Sequence, residues 1–485
     1  MERWSWPSRY DESYRPDPGD AYWFPQRETM PPAERDAAIA VRIREVMRWC
    51  WDRAPFYRRK WEDAGIHPDG IRTLEDFERV PVVTKEELRL TQAAHPPFGD
   101  YLCVALGEVA HLHGTSGTTG RPTAFGISAD DWRVIANEHA RVMWAMGIRP
   151  QDTVFIGSFF SLYMGSWGTL IGAERLGARV FPFGAGAAGQ TRRAAGWLRE
   201  MRPSAFYGTP SYALHLAEVA REAGIDPREF GIRKLFFSGE PGASIPAIRG
   251  KIEETYGGLV FDSGSMAEIS PWMNLAESSA RAGMLVWQDI VYAEVADPVT
   301  YRRVAYGSEG TPVYTTLHRR SQPMVRLVSG DLTRWESGPS PCGRTYPILP
   351  RGIYGRIDDM FTIRGENVYP SAIDEVVMAL PGYGGEHRIV ITREEAMDEL
   401  AVRIEFDRST QVAGEEAIAA LRRLAETDIR TVLGVGATVV PVPPGTLERT
   451  EFKARRVIDD RDLWRETRRT NYEGALPPQT PREDI

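Results

Sequence analysis

The stretch His113-Gly-Thr-Ser-Gly-Thr-Thr-Gly-Arg-Pro-Thr123 packs three glycines and five hydroxyls into eleven positions. Hydroxyl donors interleaved with glycines, whose backbone N–H groups can turn toward one point, make a loop suited to wrapping phosphates. The G-x-x-x-x-G-K-[ST] pattern is absent, so this is a different phosphate loop from the Walker A type. A second chemically dense stretch lies near the C-terminus, where Lys453 stands among Arg449, Arg455, Arg456 and Arg461. His111, His113, His215, His318 and His387 are scattered and show no metal-ligand spacing.

A loop of this kind needs a scaffold, and the chain supplies one from about residue 150. Strand-like runs TVFIG (153–157), ARVFPF (178–183), SAFYG (204–208), KLFFSG (234–239) and LVFDSG (259–264) alternate with amphipathic stretches at 190–201, 210–223 and 244–256. Strands recurring every ~25 residues with helical spacers predict βαβ units and a parallel sheet. Each run ends in small or turn residues, and ligands of open α/β sheets sit at the carboxyl ends of strands. From 284 to 335 the pattern changes to alternating strands, predicting an antiparallel β subdomain. A small α+β unit follows, with helices near 370–380 and 414–432 and strands HRIVIT, LAVRIEF and ATVVPV. The fold class is therefore α/β: a large N-terminal domain with parallel βαβ sheet and an antiparallel subdomain, then a small C-terminal α+β domain. The expected limits are an extended arm over 1–35, the large domain over 36–357, the small domain over 358–467 and a polar, Pro-rich tail over 468–485. Pro31-Pro32 predict a helix running to about Arg53, and Thr84-Lys-Glu-Glu87 has the form of a capping box.

Bulk properties narrow the function. At 485 residues the chain can bury a core without disulfides or metals. It is 42% hydrophobic and 26% charged, with 59 basic against 67 acidic residues and a formal net charge of −8. That balance excludes a dedicated nucleic-acid binder. The three cysteines, Cys50, Cys103 and Cys342, are far apart and odd in number, which points to a reducing compartment. No apolar run reaches the ~20 residues of a membrane span. The N-terminus lacks the apolar core of a signal peptide. The expectation is a soluble cytoplasmic protein with no membrane partner.

Six motifs in order carry a resemblance: SGTTGRPT (116–123), FSGEPG (237–242), FDSGSMAE (261–268), SGDLT (329–333), GRIDDMFTIRGENVYP (355–370) and FKARRV (452–457). With the stretch RAPFYRRKWEDAGIHPDGIRTLEDFERVPVVTKEEL, they make the chain resemble the adenylate-forming (acyl-CoA synthetase) superfamily, and within it most closely the phenylacetate–CoA ligase family, over roughly residues 35–465.

The resemblance implies an AMP-forming acid–thiol ligase that uses ATP, Mg²⁺ and CoA. Thr115, Ser116, Gly117, Thr118, Thr119, Gly120 and Arg121 would hold the phosphates. Glu268 would hold Mg²⁺, since a hard cation takes carboxylate oxygen. Gly239, Glu240, Pro241, Asp262 and Ser263 would flank the adenine. Asp331 would take the ribose hydroxyls, with Arg356 beside it. Lys453 would bridge the substrate carboxylate and the α-phosphate, and Asp358 would be the hinge about which the small domain swings between the two half-reactions. A homodimer would be in keeping with the resemblance.

The chain also departs from the family pattern. Ala267 stands where the family usually has threonine, Gly264 where it has tyrosine, and Phe452 where a glycine usually precedes the lysine. The positions matching a zinc site of some relatives are Ser278, Leu285, Ser340 and Cys342. One thiolate cannot hold zinc, so no zinc is expected. The expected acyl pocket draws on 157–168, 206–208 and 270–273, with Phe159, Tyr163, Trp167, Tyr207, Gly208 and Trp272 as its lining. Its rings, without Lys or Arg, suit an aromatic or other apolar monocarboxylic acid. Two alternatives stay open: transfer of the acyl group to an amine or a carrier-protein thiol, and a degenerate nucleotide-binding protein.

Overall fold

The computed structural model describes residues 10–115, 123–162, 164–184, 190–240, 242–270, 272–357, 361–363, 366–394, 397–447 and 456–459. These fall into two compact units, one ending at residue 357 and the other beginning at residue 361.

In the large unit an antiparallel hairpin, β1 (Val109–Gly114) and β2 (Ala124–Ser128), flanks the glycine-rich loop. Strands β3 (Thr153–Ile156), β4 (Arg179–Phe181), β5 (Ala205–Gly208), β6 (Lys234–Phe237) and β7 (Leu259–Gly264) fall on the five runs read from sequence. They pair in parallel in the order β7-β6-β5-β3-β4. Helices Met164–Leu176, Gln190–Met201, Pro210–Glu222 and Pro246–Tyr256 make the crossovers. Both faces of this sheet are covered, so alternation gives way to continuous apolar runs. Phe155 and Phe206 stack on one face at 5.5 Å, and Tyr207 and Phe236 pack on the other at 5.3 Å.

Beyond β7 the sheet continues antiparallel through β8 (Leu275–Ala276) and β9 (Met284–Val286) to Ile348–Leu349, giving eight strands. Residues 284–286 were expected in a separate antiparallel subdomain. They instead extend the main sheet, because Leu275 pairs with both Gly264 and Val286 and all three side chains of β9 are buried. The second sheet is antiparallel, ordered Val291–Ala296, Glu309–Thr316, Asp331–Arg334, Ile353–Arg356.

Residues 10–30, expected to be part of an extended arm, are bound into the large unit. Trp23 and Glu28 are fully buried. The Glu28 carboxylate accepts from the backbone N–H groups of Trp23 (3.2 Å) and Phe24 (3.0 Å) and from Arg344 (2.9 Å). Arg141 pairs with Glu138 and Asp289 at 2.9 Å each and with Glu28 at 3.4 Å. Burial of charge is tolerated here because each has an opposite partner. The helix Pro32–Arg53 follows as read from the paired prolines.

The small unit is a four-stranded sheet in the order Thr438–Val442, Met397–Phe406, Tyr383–Glu394, Val457–Asp459, packed by helices Pro370–Met378 and Glu415–Leu433. Leu421, Ala425 and Ile429, spaced four apart, form the buried stripe of the longer helix. The tail expected over 468–485 lies outside the described residues. No helix among the described residues is long and apolar enough to cross a membrane.

Candidate active site

The stem of the glycine-rich loop is closed by two hydrogen bonds. Thr115 N–H donates to the Thr123 carbonyl at 3.0 Å, and Thr123 N–H donates to Thr115 Oγ1 at 3.1 Å. A Cβ on Gly114 would lie 3.2 Å from the Thr123 oxygen, so a larger residue would press on this stem. Ser116, Gly117, Thr118, Thr119, Gly120 and Arg121 lie outside the described residues. Gln92 holds the stem from below: its amide donates to the Ala124 carbonyl at 2.5 Å and accepts from Ala124 N–H at 3.0 Å. Gln92 rides on the helix Lys85–Ala94, whose start carries the capping box read from sequence, with Thr84 N–H to Glu87 at 2.9 Å and Glu87 N–H to Thr84 Oγ1 at 3.3 Å.

That same helix aims Lys85 at Glu268, with Nζ 3.9 Å from Oε1. Glu268 is 1% exposed, and its carbonyl accepts from Arg319 at 2.9 Å. Its Oε1 is buried with no hydrogen-bond partner. A buried, unbonded carboxylate oxygen fits a hard cation, so the residue present suits Mg²⁺. Lys85, Arg319 and Gln92 escaped the sequence reading. The capping box located the helix, but nothing in one dimension shows which way its first lysine points.

The strand ends place the next group. Gly239, at φ +92°, makes the turn after β6 in a conformation only glycine adopts cheaply. The Glu240 carboxylate accepts from Ser211 N–H at 2.7 Å, at the start of the helix after β5. Asp262 is buried, bonded to the Ser244 hydroxyl, and burial raises its pKa to about 7. Ser263 Oγ donates to the Phe237 carbonyl at 2.7 Å. The side chains of Glu240, Asp262 and Ser263 are thus engaged within the fold. Pro241 lies outside the described residues. Asp331 and Arg356 face each other across neighbouring strands, with Nη1 3.3 Å from Oδ1. The pairing of these two, predicted only as neighbours, comes from the strand register.

In the segment expected to line the acyl pocket, Phe159 offers its carbonyl to Ser166 Oγ at 2.8 Å. Trp167 donates to the Ser161 carbonyl at 2.8 Å and stands edge-on to Phe160 at 5.1 Å. Tyr207 is 1% exposed, with its hydroxyl 2.6 Å from Ser238 Oγ. Gly208 is packed so tightly that a Cβ would lie 2.9 Å from the Phe206 ring. Tyr207 is therefore a core residue at the strand end. Trp272 opens the short turn Trp272–Asn274. Tyr163 lies outside the described residues.

Lys453 and Asp358 also lie outside them. Just downstream of the lysine, Arg456 is half-buried: it stands 3.4 Å from Glu386 and 3.7 Å from Asp374, and its carbonyl accepts from Ile389 N–H at 2.6 Å. At the four zinc-matching positions, Leu285 is buried in β9 and Cys342 Sγ lies 3.4 Å from Ser340 Oγ. Among the described residues no cluster of three or more His, Cys, Asp or Glu could hold a metal ion.

Comparison with known proteins places this arrangement. Residues 365–461 match the AMP-binding enzyme C-terminal domain family. The phenylacetate-coenzyme A ligase of Thermus thermophilus is 35% identical over 449 residues, covering 90% of this chain and 98% of that protein. A crystal structure of 2-hydroxyisobutyryl-CoA ligase in the postadenylation state with 2-HIB-AMP is 61% identical and covers 98% of this chain and 99% of that one, at a TM-score of 0.92. The same ligase with 2-HIB-AMP and CoA in the thioesterification state aligns over 98% and 99%, at 61% identity and a TM-score of 0.74. An α/β scaffold, a small C-terminal α+β unit and relatives of this closeness lead to one conclusion. The chain belongs to the phenylacetate–coenzyme A ligase family of the adenylate-forming acyl-CoA synthetase superfamily and is an AMP-forming acid–thiol ligase that works through an acyl-adenylate.

Proposed function

We propose that the acid activated is a short, branched 2-hydroxy acid of the 2-hydroxyisobutyrate type, converted to its acyl-adenylate and then to its CoA thioester. The observation that carries this reading is the 61% identity, over nearly the whole of both chains, to a ligase crystallised with 2-HIB-AMP. Polar groups in the acyl segment support it: Ser158 is buried, and its hydroxyl has no partner. An aromatic monocarboxylic acid is the second reading. It is supported by the 35% identity to a phenylacetate-coenzyme A ligase and by the rings of Phe159, Phe160 and Trp167.

The division of labour follows from the charge that develops. When a carboxylate oxygen attacks the α-phosphorus, negative charge builds on the phosphoryl oxygens and on the departing pyrophosphate, so preplaced donors lower the barrier. The loop residues Thr115, Ser116, Thr118 and Thr119, with Arg121, would donate to the outer phosphates. Glu268 would hold Mg²⁺, which supplies charge neutralisation at those phosphates when bound. Lys85 is a compact cation that would follow the charge from Glu268 toward pyrophosphate. Gly239, Glu240 and Pro241 would present backbone to the adenine, since the Glu240 side chain is already engaged; Asp262 and Ser263 would act likewise. Asp331, held by Arg356, would take the ribose hydroxyls. Lys453 would bridge the acid and the α-phosphate. A swing of the small unit about Asp358 would then clear the lysine and admit the thiol, because pyrophosphate exit and thiol entry need different closed geometries.

The test is pyrophosphate release with ATP, Mg²⁺ and a panel of acids, run with and without CoA. 2-Hydroxyisobutyrate is expected to exceed isobutyrate and phenylacetate in kcat/KM. Equal or better turnover of phenylacetate would select the second reading. Lys453→Ala is expected to lower pyrophosphate exchange by about 10³-fold while ATP binding by calorimetry persists; normal exchange would remove the lysine from the mechanism.

A further inference from the structure

The strand that follows the lysine is held by its backbone ladder and by charge, with little apolar packing. Val457–Asp459 is three residues long, lies at the edge of the small sheet and pairs in parallel with Tyr383–Glu394 through Ile389↔Val457, Val390↔Ile458 and Ile391↔Asp459. Val457 is 37% and Ile458 48% exposed, so these side chains contribute little burial to hold it. Arg456, the residue before the strand, turns inward, with its guanidinium 3.4 Å from Glu386 and 3.7 Å from Asp374. Both carboxylates are themselves fixed. Buried Glu386 accepts from Arg388 Nη1 at 2.8 Å and from the His387 N–H at 3.1 Å. Asp374, on the helix Pro370–Met378, lies 2.7 Å from Nε2 of the fully buried His387, whose Nδ1 is 2.9 Å from the Tyr383 hydroxyl. Burial would raise the Asp374 carboxyl, but the His387 hydrogen bond and the Arg456 charge hold it below the ordinary aspartate range, so it is ionised. A carboxylate only accepts, so His387 Nε2 carries the proton and Nδ1 accepts from Tyr383. Two oriented carboxylates, one from a helix and one from the neighbouring strand, thus converge on one guanidinium.

A buried charge cluster adds little net stability over apolar packing, because desolvation largely offsets the attraction. What it fixes is position. Three peptide units separate Arg456 from Lys453, so the lysine Cα lies within about 11 Å of the Arg456 Cα whatever path the segment takes. With Arg456 clamped, the lysine ammonium is deployed from a fixed base. Without the clamp, the start of a three-residue edge strand is free to fray, and a misplacement of about 1 Å can cost a reacting group 100-fold in rate. We infer that Arg456, gripped by Asp374 and Glu386, is a positioning residue for Lys453 in the adenylation half-reaction; this rests on the role proposed above for that lysine. His387 supports the clamp by orienting Asp374. In the proposed cycle the thioester-forming step follows departure of the lysine, so that step does not draw on the clamp.

The experiment measures the two half-reactions separately in the full chain. One is ATP–pyrophosphate exchange. The other is thioester formation from CoA and the synthetic adenylate of whichever acid, 2-hydroxyisobutyrate or phenylacetate, the wild-type chain turns over. In Arg456→Met the kcat of exchange is expected to fall about 10-fold or more, with the KM for ATP and the thioester-forming step each changed less than about 2-fold. Asp374→Asn is expected to lower exchange in the same way by about 3-fold. Arg456→Lys, whose cation reaches one carboxylate at a time, is expected to recover part of the exchange. Circular dichroism establishes folding, and Arg456→Lys and Asp374→Asn carry the comparison if Arg456→Met does not fold. An equal fall in both half-reactions would overturn the inference and leave the role of the lysine standing, as would unchanged exchange in these variants beside its loss in Lys453→Ala. Normal exchange in Lys453→Ala would overturn both.

Discussion

Two buried polar regions of the large unit differ in one respect. In the network of Glu28, Glu138, Arg141, Asp289 and Arg344 every charge meets an opposite charge, and Tyr346 donates to Asp289 at 2.6 Å. Beyond the carboxyl ends of β3 and β7 and on the hairpin strand β1, Ser158 Oγ, Glu268 Oε1 and His113 Nε2 are also buried but have no hydrogen-bond partner. Desolvating a polar group costs free energy wherever it happens. In the first region the fold itself compensates that cost, so the charges serve stability and fix the chain from residue 10 to 30 against the helix Ala129–Ala145. In the second the compensation is left to whatever binds. Burial alone does not distinguish structural from functional polar groups.

The comparison can be broken at its strongest point first. Arg141→Met removes the cation that Glu28, Glu138 and Asp289 share, and is expected to destabilise the protein by about 3–5 kcal/mol in chemical denaturation. Activity per folded molecule should change little. A loss of activity without loss of stability would mean the network belongs to the site. Glu268→Gln should do the reverse: pyrophosphate exchange at fixed Mg²⁺ falls about 100-fold, and the thermal midpoint stays put or rises. A fall in the midpoint with normal exchange would make Glu268 a structural residue.

Asp262 gives a smaller and sharper test. Burial raises its carboxyl from the ordinary aspartate value of 3.8 to about 7 in the folded state. The folded chain therefore keeps a proton that the unfolded chain gives up as pH rises from about 4. Stability from this group is fully present below pH 4 and is lost progressively up to about pH 7. The slope is below the ~1.4 kcal/mol per pH unit that one proton allows. Asp262→Asn should flatten that stretch of the stability-versus-pH curve. An unchanged curve would show that the proton is not held there.

Much of the scaffold could be read directly. The runs at 153–157, 204–208 and 234–239 are strands because β-branched and aromatic residues buried on both faces leave no alternation to misread. The helix Lys85–Ala94 announced itself by its capping box. The glycine-rich loop stood out by its composition of glycines and hydroxyls. Less visible was what the side chains near it do. Asp262 and Ser263 sit in the expected motif, yet their oxygens are taken by Ser244 and the Phe237 carbonyl. Tyr207, expected in the acyl pocket, is buried with its hydroxyl on Ser238. Lys85 lies 183 positions from Glu268 in sequence, and no periodicity connects them.

The sequence determined the order of elements and the family, since local propensity and motif spacing are one-dimensional properties. Only the tertiary structure decided which polar atoms are satisfied. It tied residues 10–30 to the helix Ala129–Ala145 through buried charge, and it set Lys85 against Glu268. It also turned one nitrogen of His113 to a carbonyl and left the other bare. Hydrogen-bond satisfaction depends on distances between residues far apart in the chain, and those exist only once the chain has folded.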